Sequence, residues 1–515
     1  MIRLNIKNDI SWFLLLLILA LFIWLIRLGD LPLRDWDEGY YATVARSMFQ
    51  SGDWLHLRYY NQPFLLKPPL IIWLINFSYH LGGINEFTTR LPCALLTATG
   101  VPLLYLVGRN IFYTQLPAIF SSLVYLTLLP VLRHGRLAMI DGMVNTFLIL
   151  CVLCLLKSKK QPLWILGFGI SLGMIALSKG ILAIALGGIL GIYMILNDHN
   201  EFFKNNLLWI SLLIGFCPVV IWYYLQIDFY GEKFIEVHFF QQNFDRLSTA
   251  VEGNKGGIWY YILELIKYSF PWLIFFPGGL IIAWNKHEKN LSQLIATGFF
   301  LFLFIITIMG TKLPWYIMPI YPFFALSIGY NLSHLYLYPE NRSTILVFSM
   351  SVLTYLILGL GVYIFKDPQE FIFQFIFFIF FITFFWTNQK LYKKLSGFII
   401  ILIIGLYLSL TLLMISNTWL WELNESFPVK SVAKLIRETT PPDTVIYTSF
   451  AYSRPSLDFY SERQVISQNK KELDILASNS SYLLLENTKA LDFKLIDAKM
   501  LGEASGFILI STKRK

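Results

Sequence analysis

Between two apolar regions, residues 31–70 gather Arg34, Asp35, Asp37, Glu38, Tyr40, Tyr41, Arg46, Trp54 and the run Lys67-Pro68-Pro69. A charge inside a bilayer costs roughly 2.5 to 3.5 kcal/mol even on lenient insertion scales, so an ionisable cluster at a membrane edge is a functional candidate. Carboxylates in such a cluster can orient or deprotonate a hydroxyl, and cations can hold an anion. Lys67 precedes two prolines, which force an extended backbone and fix the direction of the cation.

The elements that must position these groups are membrane helices. Of 515 residues, 56% are hydrophobic, 17% aromatic and only 14% charged, with 44 Phe, 28 Tyr and 15 Trp. Soluble domains carry about 25% charged residues, so the chain is an all-α polytopic membrane protein. A span needs about 20 apolar residues. On that criterion there are about 13 transmembrane helices: 11–28, 88–109, 115–133, 139–156, 163–178, 180–196, 207–226, 258–284, 293–309, 314–334, 343–365, 370–387 and 395–416. The first span follows Arg3 and Lys7 with no small-residue cleavage site before Arg34, and is expected to be retained. Leu70 to Tyr79 is too short to span and is expected to lie at the interface.

With the N-terminus cytoplasmic, the inner loops receive Arg109, Lys157, Lys159, Lys160, Lys204, Lys286, Lys289, Arg342, Lys390, Lys393 and Lys394, as the positive-inside rule requires. The 31–87 loop, the turns near Arg133 to Asp141, Lys179 and Lys312, the 227–257 loop and the tail then share the outer face. Seven outer cations run against that rule: Lys67, Arg133, Arg136, Lys179, Arg246, Lys255 and Lys312. Singly, each could snorkel or touch a lipid headgroup. Together they point to one phosphate-binding site.

Past Trp419 the composition becomes that of a soluble domain. Val429 to Thr439 has helical periodicity, Pro441-Pro442-Asp443 makes a turn, and strands are expected at Thr444 to Phe450, Gln464 to Ile466, Ser481 to Leu485 and Gly506 to Ile510. The expected organisation is a membrane domain, 1–417, and a small α/β extracytoplasmic domain, 418–515. Cys151 and Cys154 read as C-x-x-C, but on a membrane helix they serve as small packing residues.

Asp37 to Arg46 (D-E-G-Y-Y-A-T-V-A-R), then Gly52-Asp53-Trp54 and Lys67-Pro68-Pro69-Leu70, resembles the first outer loop of the protein O-mannosyltransferase superfamily. The bacterial branch of the 4-amino-4-deoxy-L-arabinose type is most similar. Arg133 to Asp141, Ser178-Lys179-Gly180, His238 to Arg246 and Lys312 to Tyr316 extend the resemblance. It implies a GT-C fold and an inner-membrane glycosyltransferase that moves a sugar from a polyprenyl-phosphate carrier to a lipid, glycan or protein acceptor at the outer face. A glycosyl phosphate has a good leaving group, so one carboxylate and a set of cations suffice, and a single displacement inverts the anomeric centre. The catalytic carboxylate falls on Asp37, with Glu38 beside it and Asp141 as a second acid. Substrate-binding candidates are Tyr40, Lys67, Arg133, Arg136, Lys179, His238, Arg246, Lys312 and Tyr316. The arabinose-transferring relatives usually read Glu-Lys-Pro-Pro, and that Glu helps form a metal site. Here the position is Leu66, so no metal or other cofactor is expected, and nothing suggests nucleic acid.

Plainer uses stand beside these roles. Asp37 could cap a helix beginning near Gly39, with Glu38 complementing its dipole. Asp141 could neutralise Arg133 or Arg136, and His238 could be a hydrogen-bonding loop residue. The alternative function is a transporter or flippase of a lipid-linked or anionic solute. Transporters place their charges near the midplane of repeated halves, whereas here they gather at one face without a repeat. A lipid-linked polymer ligase or polymerase, using a diphosphate-linked donor, is a third reading.

Overall fold

The computed structural model describes residues 6–197, 203–285, 288–364, 371–417, 419, 427–478, 481–490 and 498–512. Arg3 and Lys286, used above to orient the chain, lie outside these residues. Each of the thirteen apolar segments is helical over most of its described length. Among the described residues, eight helices are long and apolar enough to cross a membrane, or ten if each of two bent pairs is one span. Leu182–Leu196 and Thr344–Leu360 are apolar but shorter. The chain is a multi-pass membrane protein.

Two compact units make up the chain. The first comprises Met1–Arg27, Leu65–Ile71 and Leu91–Trp419. Small residues let its helices approach closely, as membrane packing requires where lipid supplies no hydrophobic drive. Ser211, on helix Asn206–Tyr230, accepts from the Gly169 N–H at 2.8 Å and donates to the Ile165 carbonyl at 2.5 Å, locking it to helix Ile165–Lys179. Helices Leu116–Leu126 and Leu129–Arg136 meet at 60°, and Tyr260–Tyr268 and Trp272–Asn285 at 106°. Pro130 and Pro271 stand at these breaks, where a missing N–H and a ring clash end the helical ladder. The first break turns Arg133 and Arg136 onto their own short helix.

The second unit comprises Leu28–Phe64, Ile72–Arg90 and Leu420–Lys515. Grouping by contact therefore differs from division by position, because the first loop folds with the tail. Strands β1 (Arg58–Tyr59) and β2 (Gln62–Pro63) form an antiparallel hairpin. The tail contributes a five-stranded sheet of β3 (Val445–Thr448), β4 (Gln464–Ser467), β5 (Tyr482–Glu486), β6 (Lys499–Ala504) and β7 (Phe507–Ser511), in the order β4-β3-β5-β7-β6. β3 pairs in parallel with β4 and β5, while β7 runs antiparallel to β5 and β6. Helix Val429–Thr439 covers one face through Val432, Ala433 and Ile436, which bury against Ile446, Leu457, Leu484 and Leu509. Four of the five strands and this helix fall where the sequence pattern put them.

Helix Asp37–Ser51 packs against helix Pro455–Ser461 so closely that a side chain at Gly39 would sit 2.5 Å from the Ser456 nitrogen. Beside that contact, Asp35 accepts from Arg454 Nη1 at 2.7 Å and from the Ser456 N–H at 3.2 Å. These buried ties have a topological consequence. The first loop and the tail must lie on the same side of any membrane that the helices cross.

Candidate functional site

A cavity of about 290 Å³ opens within the first unit. Lys67, Asp141, Lys179, His238, Gln242, Asn243, Arg246 and Tyr316 supply its polar lining, and Ile184, Phe302, Ile305, Ile306 and Met309 belong to its apolar lining. Asp141 lies in the first turn of helix Ile140–Ser158, and Lys179 is the last residue of Ile165–Lys179, each where the helix dipole favours its sign. Lys179 Nζ donates to Asp141 Oδ1 at 2.6 Å and lies 4.7 Å from the centre of the Tyr316 ring. Gly180 follows with φ +48°, a left-handed turn that lets the chain leave the helix at the cavity wall. Arg246 Nη1 reaches the Tyr316 hydroxyl at 3.4 Å. The lining thus sets three cations, Lys67, Lys179 and Arg246, against one carboxylate, Asp141. That balance suits an anion with an apolar tail.

The wall carrying Lys67 is fixed by His238. Its Nδ1 lies 2.9 Å from the Leu65 carbonyl, and its Nε2 is 2.9 Å from the Tyr223 hydroxyl. A carbonyl only accepts, so Nδ1 carries the proton and Nε2 accepts from the tyrosine. Burial pushes the imidazole pKa down to about 4, against the favourable Leu65 carbonyl, with the Lys67 charge adding to the depression. The ring is therefore neutral at physiological pH. His238 sits in the π-helix Ile235–Phe244, whose wider turns recur at functional sites. Sequence reading found His238 but not Tyr223, whose position on an apolar helix carries no signal of this contact.

Four of the seven outer cations, Arg133, Arg136, Lys255 and Lys312, do not line the cavity. Arg136 donates to the carbonyls of Ile23 and, at 2.6 Å, Ile26, closing the end of the first helix, with its guanidinium 4.5 Å from the Trp419 ring centre. Lys312 Nζ donates to Ile306 at 3.1 Å, to Thr307 and to Met309 at 2.6 Å, closing helix Phe302–Ile308. Both satisfy carbonyls that a helix end leaves without partners. Arg133 is buried, with its guanidinium 5.7 Å from the Tyr268 ring centre. Asp141 pairs with Lys179.

Asp37, Glu38 and Tyr40 belong to the second unit. The helix begins at Asp37 itself, without a side-chain cap, and Asp37 Oδ1 accepts from the Tyr41 hydroxyl at 3.3 Å. Glu38 is buried and taken up by Arg90, whose Nε and Nη2 reach its two oxygens at 2.8 and 2.9 Å. The other guanidinium protons go to the carbonyls of Leu28, Leu31 and Pro32 at 2.8 to 3.0 Å. All five donors of Arg90 thus have acceptors. Arg90 went unremarked in the sequence because it sits within the start of an apolar helix. The Tyr40 ring lies tilted against Tyr59, with centres 5.1 Å apart, and against Phe64 at 6.4 Å.

The metal site of the arabinose-type resemblance does not fit these residues. Leu66 is aliphatic, both His238 nitrogens are engaged, and among the described residues no group of three His, Cys, Asp or Glu could hold a metal.

The family described as dolichyl-phosphate-mannose-protein mannosyltransferase matches residues 66–224. An uncharacterised protein of Aquifex aeolicus is 27% identical over 91% of both chains. The undecaprenyl phosphate-alpha-4-amino-4-deoxy-L-arabinose arabinosyl transferase of Erwinia tasmaniensis is 26% identical over 61% of this chain and 59% of its own length. The chain therefore spans less than two thirds of the arabinosyl transferases it matches. The crystal structure of ArnT from Cupriavidus metallidurans bound to undecaprenyl phosphate superposes with a TM-score of 0.80 over 98% of both chains, at 18% identity. The chain thus shares the fold of the ArnT crystal structure and is similar in sequence, over part of its length, to these transferases.

Proposed function

We propose that the chain transfers a sugar from a polyprenyl-phosphate carrier to an acceptor hydroxyl at the outer face of the cell membrane, with inversion at the anomeric carbon. The observation that carries this reading is the cavity, in which three cations and one carboxylate share a lining with an aliphatic and aromatic wall. A lipid-linked phosphate combines those two chemistries. Undecaprenyl phosphate, the molecule bound in the Cupriavidus metallidurans ArnT crystal structure, is one such lipid.

Lys67, Lys179 and Arg246 hold the phosphate and stabilise the charge it gains as it departs. His238 is a positioning residue for Lys67, acting through the Leu65 carbonyl. Asp37 takes the proton of the acceptor hydroxyl as its oxygen bonds to the anomeric carbon. The bond from that carbon to the phosphate oxygen breaks, and the carrier phosphate leaves with the electron pair. Glu38, bound by Arg90, orients the helix that presents Asp37.

Asp37→Asn keeps the shape but removes the proton acceptor. Turnover by the purified variant is expected below a tenth of wild type, a loss of more than about 1.4 kcal/mol of barrier stabilisation. Lys67→Ala and Arg246→Ala are expected to raise the donor's KM. Unchanged donor KM in both, or full turnover by Asp37→Asn, would sink the reading.

A further inference from the structure

In the second unit, the residue immediately before Asp37 is a tryptophan in a conformation that tryptophan rarely adopts. Trp36 has φ 68° and ψ −126°, and such strained backbone persists only where its surroundings impose it. Both neighbours are locked. Asp35 is clamped by Arg454 and Ser456, and on the other side the Tyr40 N–H donates to the Trp36 carbonyl at 3.0 Å as the helix begins. The result is that the indole is turned outward, 44% exposed.

Tyr452, 43% exposed, stacks on it with ring centres 5.7 Å apart and planes 17° from parallel. Arg454 Nη2 donates to the Tyr452 hydroxyl at 3.0 Å, and the same guanidinium lies 4.2 Å from the Phe427 ring centre. One ion pair, Asp35 with Arg454, thus braces both rings. An indole kept for stability would be buried on relaxed backbone. This one is strained, held and displayed next to the carboxylate assigned above to the acceptor hydroxyl.

We infer that Trp36 and Tyr452 form the acceptor platform and that the acceptor is a saccharide, free or carried on a lipid, whose ring lies on the aromatic face while its hydroxyl meets Asp37. The inference rests on the glycosyl-transfer reading and names the acceptor class for it. Aromatic faces are electron-rich, and the flat face of a sugar ring presents C–H groups of complementary polarity. A peptide acceptor would need partners for its backbone. Beside the pair, Asp35 is taken up by Arg454 Nη1 and by the Ser456 N–H and hydroxyl.

The test uses the full chain in detergent, with polyprenyl-phosphate-linked sugars extracted from the native cells as donor. The oligosaccharide fraction and the protein fraction of the same envelopes serve as separate acceptors. Trp36→Gly and Tyr452→Ala are expected to raise the KM for the oligosaccharide fraction at least tenfold while the donor KM stays within twofold, and Trp36→Phe is expected to restore much of the loss. Because glycine relieves the backbone, Trp36→Gly should melt no lower than wild type. A lower melting temperature with unchanged acceptor KM would make Trp36 a packing residue and overturn the inference, as would transfer to the protein fraction alone. If the wild-type enzyme consumed no donor with either fraction, the transfer reading itself would fail, and the inference with it.

Discussion

Arg90 shows how one side chain can organise the loop that leads into helix Asp37–Ser51. Its guanidinium satisfies both Glu38 oxygens and three carbonyls of residues 28–32, in a fully buried setting. Lysine offers a single charged centre that cannot reproduce this fork. Breaking a buried ion pair costs roughly 3–5 kcal/mol, so Arg90→Lys should lower the melting temperature of the whole chain and reduce turnover together. A variant with wild-type melting and turnover would remove Arg90 from this role. His238 makes a different kind of demand. Since its pKa lies at about 4, it should contribute no inflection to a pH–rate profile in the range of roughly 5.5 to 8 where ordinary histidines titrate. His238→Gln should then lower the rate equally across that range, and loss of an inflection near neutrality would contradict the assigned proton positions. Residue types alone pointed to the cations but could not sort them. Lys67 and Lys179 line the cavity, whereas Arg136 and Lys312 close helix ends. In sequence Arg136, Lys179 and Lys312 are all cations in short turns after apolar runs. The backbone path around each cation separates cavity lining from helix capping.

Local pattern was a good guide to elements that bury one face. Helix Val429–Thr439 coincides with its expected range because Val432, Ala433 and Ile436 repeat at helical spacing and Pro441-Pro442 stop it. Strand β6 carried no such signal. It lies at the sheet edge, and no residue of its sequence Lys-Met-Leu-Gly-Glu-Ala is fully buried, so no alternation marks it. The approach of helix Asp37–Ser51 to helix Pro455–Ser461 joins residues some 400 positions apart, and nothing local announces that Gly39 is a contact. A branched side chain there would meet backbone, which cannot rotate away. Gly39→Val should cost about 1–3 kcal/mol or more, read as a lower melting temperature. The same substitution at Gly188, where an added Cβ meets nothing within 4 Å, is the control and should leave melting nearly unchanged.

At the scale of the whole molecule, ties between the first loop and the tail require both to occupy one side of the membrane. A reporter active outside the cytoplasm and fused after Lys515 should be active, and a cysteine placed at Gln62 should react with an impermeant thiol reagent. Opposite results at the two sites would break the second unit apart. That unit also holds a buried acid, Asp458, which accepts from the Tyr59 hydroxyl and from the Val465 N–H at 2.8 Å. Burial raises its pKa to about 7, against the two hydrogen bonds, with the nearby Asp35 adding to the rise. The folded unit therefore binds a proton that the unfolded chain gives up near pH 3.9. Its contribution is fully present below that value and is lost as pH rises to about 7, at up to about 1.4 kcal/mol per pH unit. Asp458→Asn should flatten this fall in melting temperature between about pH 4 and 7, and an unchanged slope would reject the assignment. The grouping of Leu28–Phe64 with Leu420–Lys515 also bears on the protein's birth. The ribosome delivers the helix that begins at Asp37 early and its partner helix Pro455–Ser461 last, with most of the membrane helices inserted between. A nascent or prematurely terminated chain therefore displays its acidic loop without the surface that shapes it. Synthesis itself becomes the safety catch, since no unfinished copy can assemble this unit.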